Sequence, residues 1–135
     1  MPNPRFLDKE GYPTVELLLK IERAKKVYLG NLEKFCKENF ISSQDFKQIE
    51  KVYLIGSHAT ENDWDNERSD VDFKLVVPKV LPMNLLDYKR KILDPSLKQE
   101  TEEKRKWIDL YFVHSDYQVL PPRFDLTEYW YKIKI

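Results

Sequence analysis

From Thr14 onward, Leu18, Ile21, Tyr28, Leu29, Leu32, Phe35 and Cys36 recur at three- and four-residue spacing, with charged residues at most positions between. That rhythm predicts one long amphipathic helix from Thr14, placed to cap it, to about Asn39. Its apolar stripe needs a partner, and a sheet face suits it. Three shorter runs read as strands: residues 51–55, ended by Gly56; residues 71–77, closed by Pro78; and residues 107–113. Residues 58–69 are polar and predict at most a helical turn, and residues 84–93 predict a helix. Residues 1–13 hold three prolines and read as an irregular N-terminal arm. Past Pro121-Pro122, the aromatic tail around Tyr129, Trp130 and Tyr131 suits either a last helix or an edge strand.

Strand alternation then sorts the side chains by face. Val71, Phe73, Leu75 and Val77 form an apolar row on one side of the second strand, and Asp70 and Asp72 project together from the other. In the third strand Ile108, Leu110 and Phe112 share a face while Asp109 points away. If both apolar rows cover the same helices, as a one-core domain requires, all three carboxylates emerge on one surface. Like charges about 4 Å apart repel by about 4 kcal/mol at an effective dielectric near 20, so such a cluster calls for a cation. Mg²⁺ or Mn²⁺ prefers hard oxygen ligands and combines carboxylates with water and substrate phosphates. Two such ions about 3.5 to 4 Å apart stabilise both the attacking and the leaving oxygen of a phosphoryl transfer. Gly56-Ser57, directly after the first strand, offers a phosphate a close backbone approach and hydrogen-bond donors.

Leu54-Ile55-Gly56-Ser57, twelve intervening residues, Asp70-Val71-Asp72 and the later strand-borne Asp109 together resemble the DNA polymerase beta-like nucleotidyltransferase superfamily. The likeness spans about residues 50–113. It implies an α+β nucleotidyltransferase fold, a small mixed sheet with helices packed on one face and the acidic site on the other. By the resemblance, Asp70 and Asp72 ligate the metals, Asp109 completes the site and helps activate an acceptor hydroxyl, and Gly56 and Ser57 hold the triphosphate. Ser69 also matches a frequent choice in the superfamily. The implied cofactor is Mg²⁺ or Mn²⁺, two ions with a bound nucleoside triphosphate. The implied reaction moves a nucleoside monophosphate to a hydroxyl and releases pyrophosphate. Many small members carry arginines after the turn, whereas this chain reads His58-Ala59-Thr60-Glu61-Asn62-Asp63. Arg68 or Lys74 is the candidate cationic substitute. The departure also favours an alternative, a weak or inactive binding module such as the antitoxin-like partner of a HEPN-type toxin.

Composition narrows the setting. A 135-residue chain, 41% apolar, predicts a single domain, and 23 basic against 23 acidic residues leave no net field to draw it onto nucleic acid or an anionic membrane. No apolar run approaches the roughly 20 residues of a bilayer span. The lone Cys36 lies on the helix stripe and reads as core, which together with the missing secretory signal pattern predicts a cytoplasmic protein. His58, Trp64 and Trp130 read as surface or packing residues, Trp107 shares the predicted face of Asp109, and residues 98–106 read as a solvated charged stretch. The C-terminal aromatics make a homodimer or heteromer credible, and the acceptor is a protein, a small molecule or an RNA.

Overall fold

The protein's computed structural model describes residues 6–8, 10–56, 71–77, 82–98 and 107–134. The arm is irregular, as expected, but tied down: Phe6 is fully buried, and Leu7 and Pro13 form an isolated antiparallel bridge. Helix α1 (Val15–Gly30) starts where the Thr14 hydroxyl accepts from the Leu17 N–H at 3.4 Å. The predicted single helix is in fact two, because α2 (Leu32–Glu38) begins after a break at Asn31. The Asn31 side-chain amide donates to the Val27 carbonyl at 3.3 Å, the acceptor that its own backbone N–H would use in a continuous helix. Gly30, a weak helix former, sits next to the break.

A short helix, α3 (Gln44–Lys47), leads into β1 (Lys51–Ile55). After β2 (Val71–Val76), one crossover carries α4 (Pro82–Tyr88), a π-helical turn (Lys89–Leu93) and α5 (Asp94–Lys98). Strand β3 (Ile108–Val113) and a 3-10 turn (Asp116–Gln118) follow. The aromatic segment of the tail is a helix, α6 (Thr127–Lys132), preceded by a two-residue strand β4 (Phe124–Asp125). The sheet order is β3-β2-β1-β4, with β2 and β3 parallel and the other pairs antiparallel. The architecture is α+β with a mixed sheet, and no helix among the described residues is long and apolar enough to cross a membrane.

Register settles the faces. Val71, Phe73, Leu75 and Val77 join Ile108 and Leu110 in one core with Leu17, Ile21, Ala24 and Tyr28 of α1. Cys36 is buried in it, as its helical spacing implied, and so is Trp130. Tyr28 ties the layers together: its hydroxyl donates to the Phe46 carbonyl at 2.7 Å, and its own carbonyl accepts from the Tyr88 hydroxyl. Lys25, also buried, donates to the Trp130 and Ile133 carbonyls at 2.6 and 2.8 Å, closing the C-terminal end of α6. The opposite face is not purely acidic, as the sequence had suggested. Tyr53, Val76 and Val119 form a second, smaller apolar cluster there, with Ile55 and Val113 packed on it.

Helix α2 ends on Phe40, which adopts φ 58° with its ring 97% exposed. The Ile41 N–H donates back to the Cys36 carbonyl at 2.9 Å, so this left-handed residue closes the helix in the position where glycine is usual. A non-glycine residue there costs about 1–2 kcal/mol, and the exposed ring returns no packing. Phe40→Gly is therefore expected to stabilise the fold by about 1 kcal/mol, read from the midpoint of urea unfolding at unchanged slope.

Candidate functional site

Gly56 closes β1 with φ 73° and stands exposed at the sheet's edge. Ile55 pairs with Asp72 across the antiparallel ladder, which brings the turn against that carboxylate. A Cβ at position 56 would lie 2.6 Å from Asp72 Oδ2. Both the backbone angle and this approach exclude a side chain, so glycine serves two purposes at once. Across the parallel ladder Asp72 pairs with Asp109, and in-register neighbours project to the same side of a sheet. The turn, Asp72 and Asp109 therefore form one row across three strand positions, on the face away from the main core. Asp70, Ser57 and Ser69, the remaining predicted site residues, lie outside the described residues, as do His58, Trp64 and Arg68.

Asp109 is only 6% exposed, and its partners are cations of the chain itself. Lys89 donates to Oδ1, while Lys98 and the Tyr111 hydroxyl donate to Oδ2 at 2.8 and 2.9 Å. Asp94 completes the network at 3.3 Å from Lys89 and 3.7 Å from Lys98, so two ammonium groups face two carboxylates. Lys89 also lies 4.7 Å from the Tyr111 ring centre, a cation–π distance. Burial pushes the Asp109 carboxyl up. The hydrogen bonds from Lys89 and Lys98, the Lys89 charge and the Tyr111 hydrogen bond together outweigh that effect and hold it below the usual carboxylate range.

Sequence reasoning missed both lysines. Lys98 belongs to the stretch whose composition predicts a solvated segment, yet its side chain is 21% exposed and bonded to Asp109. In an uninterrupted α-helix, residues nine apart lie about 180° around the axis from each other. The π turn rotates Lys89 and Lys98 towards one another, and Pro95 accounts for it: proline cannot donate to the Lys91 carbonyl and crowds it, so the preceding turn widens. The Asp94 N–H accordingly donates to the Lys89 carbonyl, five residues back. That proline was the available signal.

No family model, curated protein or solved structure matches this chain. The site is therefore judged on its own chemistry.

Asp72 is half-buried beside Gly56, with Oδ1 buried, and a carboxylate oxygen of that kind is a hard ligand suited to a divalent cation. Asp109 fits less well. A carboxylate has about four lone-pair positions, and Lys89, Lys98 and Tyr111 engage three of them. A metal shared by Asp72 and Asp109 would have to displace an ammonium group or lie beside one. Among the described residues no three Asp, Glu, His or Cys side chains gather into a ligand set. Trp107, expected near the acid, is half-buried just before β3, where its carbonyl accepts from the Val71 N–H at 3.1 Å.

Two outcomes test this geometry. Gly56→Ala is expected to cost about 1–2 kcal/mol and to displace the Asp72 carboxylate, seen as an altered Asp72 carboxyl titration by carbon-detected NMR. For Asp109 the folded-state pKa is depressed, so its contribution is fully present above the unfolded value of about 4 and is lost as pH falls through the folded value. Asp109→Asn is expected to cost about 3 kcal/mol at pH 7 by leaving the lysines short of a partner. The gap from wild type should close below about pH 4, checked by urea unfolding across the acid range.

Proposed function

We propose that this chain is a metal-dependent nucleotidyltransferase, moving a nucleoside monophosphate from a triphosphate to an acceptor hydroxyl. The reading rests on one observation: a positive-φ glycine turn abuts Asp72, and Asp72 stands level with Asp109 on the parallel neighbour. The order of Gly56-Ser57 before Asp70-Val71-Asp72 and Asp109 supports it. In this scheme the acceptor oxygen bonds to the α-phosphorus and gives up its proton to solvent water, the bond from the α-phosphorus to the bridging oxygen breaks, and pyrophosphate leaves with that oxygen. A divalent cation, Mg²⁺ or Mn²⁺, held by Asp70 and Asp72 would supply charge stabilisation for the phosphate oxygens. In this reading the bare Gly56 backbone is the phosphate contact, and Ser57 and Ser69, outside the described residues, are the candidate hydroxyl donors by their place in the sequence. Asp109, its pKa held low by two lysines, is a weak proton acceptor at neutral pH. Its part is to orient the acceptor hydroxyl by accepting its hydrogen bond rather than to remove its proton.

The lysines favour a second reading. With Lys89 and Lys98 already offsetting the Asp109 charge, and no arginine in residues 58–63, the chain also suits a nucleotidyltransferase-like module that binds a partner without turnover. Calorimetric titration of the four ribonucleoside triphosphates with Mg²⁺ or Mn²⁺ tests the first reading. Wild type is expected to bind at least one of them in a metal-dependent manner, and Asp72→Asn to weaken that binding at least tenfold. Binding with steady pyrophosphate release, once an acceptor is supplied, supports transfer. If wild type and variant alike show no metal-dependent binding, the transferase reading fails, and a second chain that co-purifies would then support the binding module.

A further inference from the structure

Beside Asp109 the sheet opens into a cavity of about 420 Å³, within the roughly 300–1,000 Å³ typical of small-molecule clefts. Its walls are apolar: Leu85 and Leu86 of α4 face Tyr111, Phe112 and Val113 of β3. Among the described residues its polar lining consists of Lys74, Lys89, His114 and Gln118, with no acidic side chain. Lys89 and Tyr111 belong both to this lining and to the Asp109 network, so the cavity adjoins the acid row directly. The two lysines differ. Lys89 is committed to Asp94 and Asp109, whereas no acidic side chain among the described residues lies within ion-pairing distance of Lys74.

Lys74 pairs with Tyr111 across the parallel ladder, and both rise from the same face. An ammonium group half-buried beside apolar walls loses hydration without a charge to replace it. A bound anion restores that balance, and rings find flat partners in Tyr111 and Phe112. We infer that this cavity is a binding site for a small aromatic carboxylate, its ring between α4 and β3 and its carboxylate on Lys74. Leu86, 50% exposed, and Tyr111, 39% exposed, form apolar surface at the mouth that such a ligand would cover. The inference does not depend on nucleotidyl transfer, since neither Gly56 nor Asp72 lines the cavity.

A matched pair of probes reads the charge requirement separately from the apolar one. Titration of the ¹⁵N-labelled protein with 2-naphthoate and with neutral 2-naphthamide, without metal or nucleotide, should show saturable shifts at Lys74, Tyr111, Phe112 and His114. The naphthoate should bind at least tenfold tighter than the amide. Lys74→Met should bring naphthoate down to the affinity of the amide while leaving the amide unchanged. Leu86→Glu, a change at an exposed position, should weaken naphthoate at least tenfold. Equal affinities for the two probes, shifts centred elsewhere, or no saturation by naphthoate would overturn the assignment. None of these results depends on whether the protein binds a triphosphate.

Discussion

Parallel pairing of β2 with β3 is the constraint on which the rest of the structure depends. Two parallel neighbours cannot be joined by a hairpin, so the chain must leave the sheet and return along a crossover of a dozen or more residues. Here that crossover carries α4, the π turn and α5, which bury Leu85, Tyr88, Leu93 and Leu97 in the main core. It is anchored to α1 twice, by the Tyr88 hydroxyl on the Tyr28 carbonyl and by Arg23 on the Ser96 carbonyl at 2.9 Å. The same pairing sets Asp72 beside Asp109, and the same crossover delivers the lysines that hold Asp109. Topology and site electrostatics thus share one cause.

Face by face, much of this was legible in the chain. Period-two alternation gives both apolar rows, and with them the common side of Asp72 and Asp109, because a strand in a one-core domain has little choice of which face to bury. The Thr14 cap and the buried Cys36 follow from helical spacing in the same way. What was not legible depends on local competition or on contacts distant in sequence. Whether the Asn31 side chain or its backbone takes the Val27 carbonyl is decided by a small energy difference that periodicity does not register. The second cluster of Tyr53, Val76 and Val119 joins residues from three separate segments, so no pattern along one strand announces it. Lys89 and Lys98 reach a common carboxylate only because Pro95 widens a turn between them.

The acid row also shows how the same charge problem admits two solutions. Carboxylates brought together on a sheet need positive charge, and the sequence pattern pointed to metal ions as its source. At Asp109 the chain supplies that charge itself, through two ammonium groups and a phenol. Breaking such a buried arrangement is costly, since removal of one partner leaves the others desolvated and uncompensated. Asp109 is therefore held in a fixed, ionised state. That state suits orientation of a hydrogen-bond donor better than proton removal, which works best with a pKa near the operating pH.

Asp72 is the acid whose surroundings differ. Its neighbour across the ladder is the end of β1, where Gly56 lets the backbone approach one carboxylate oxygen closely, and Gly56 itself is exposed. At φ 73° any side chain at position 56 would be strained, so glycine is the residue that the end of β1 requires. The 2.6 Å approach adds a second reason, since a Cβ there would press on the Asp72 carboxylate. Asp109 and Asp72 thus divide the row between them, the first fixed from within by lysine and the second set against the backbone of Gly56.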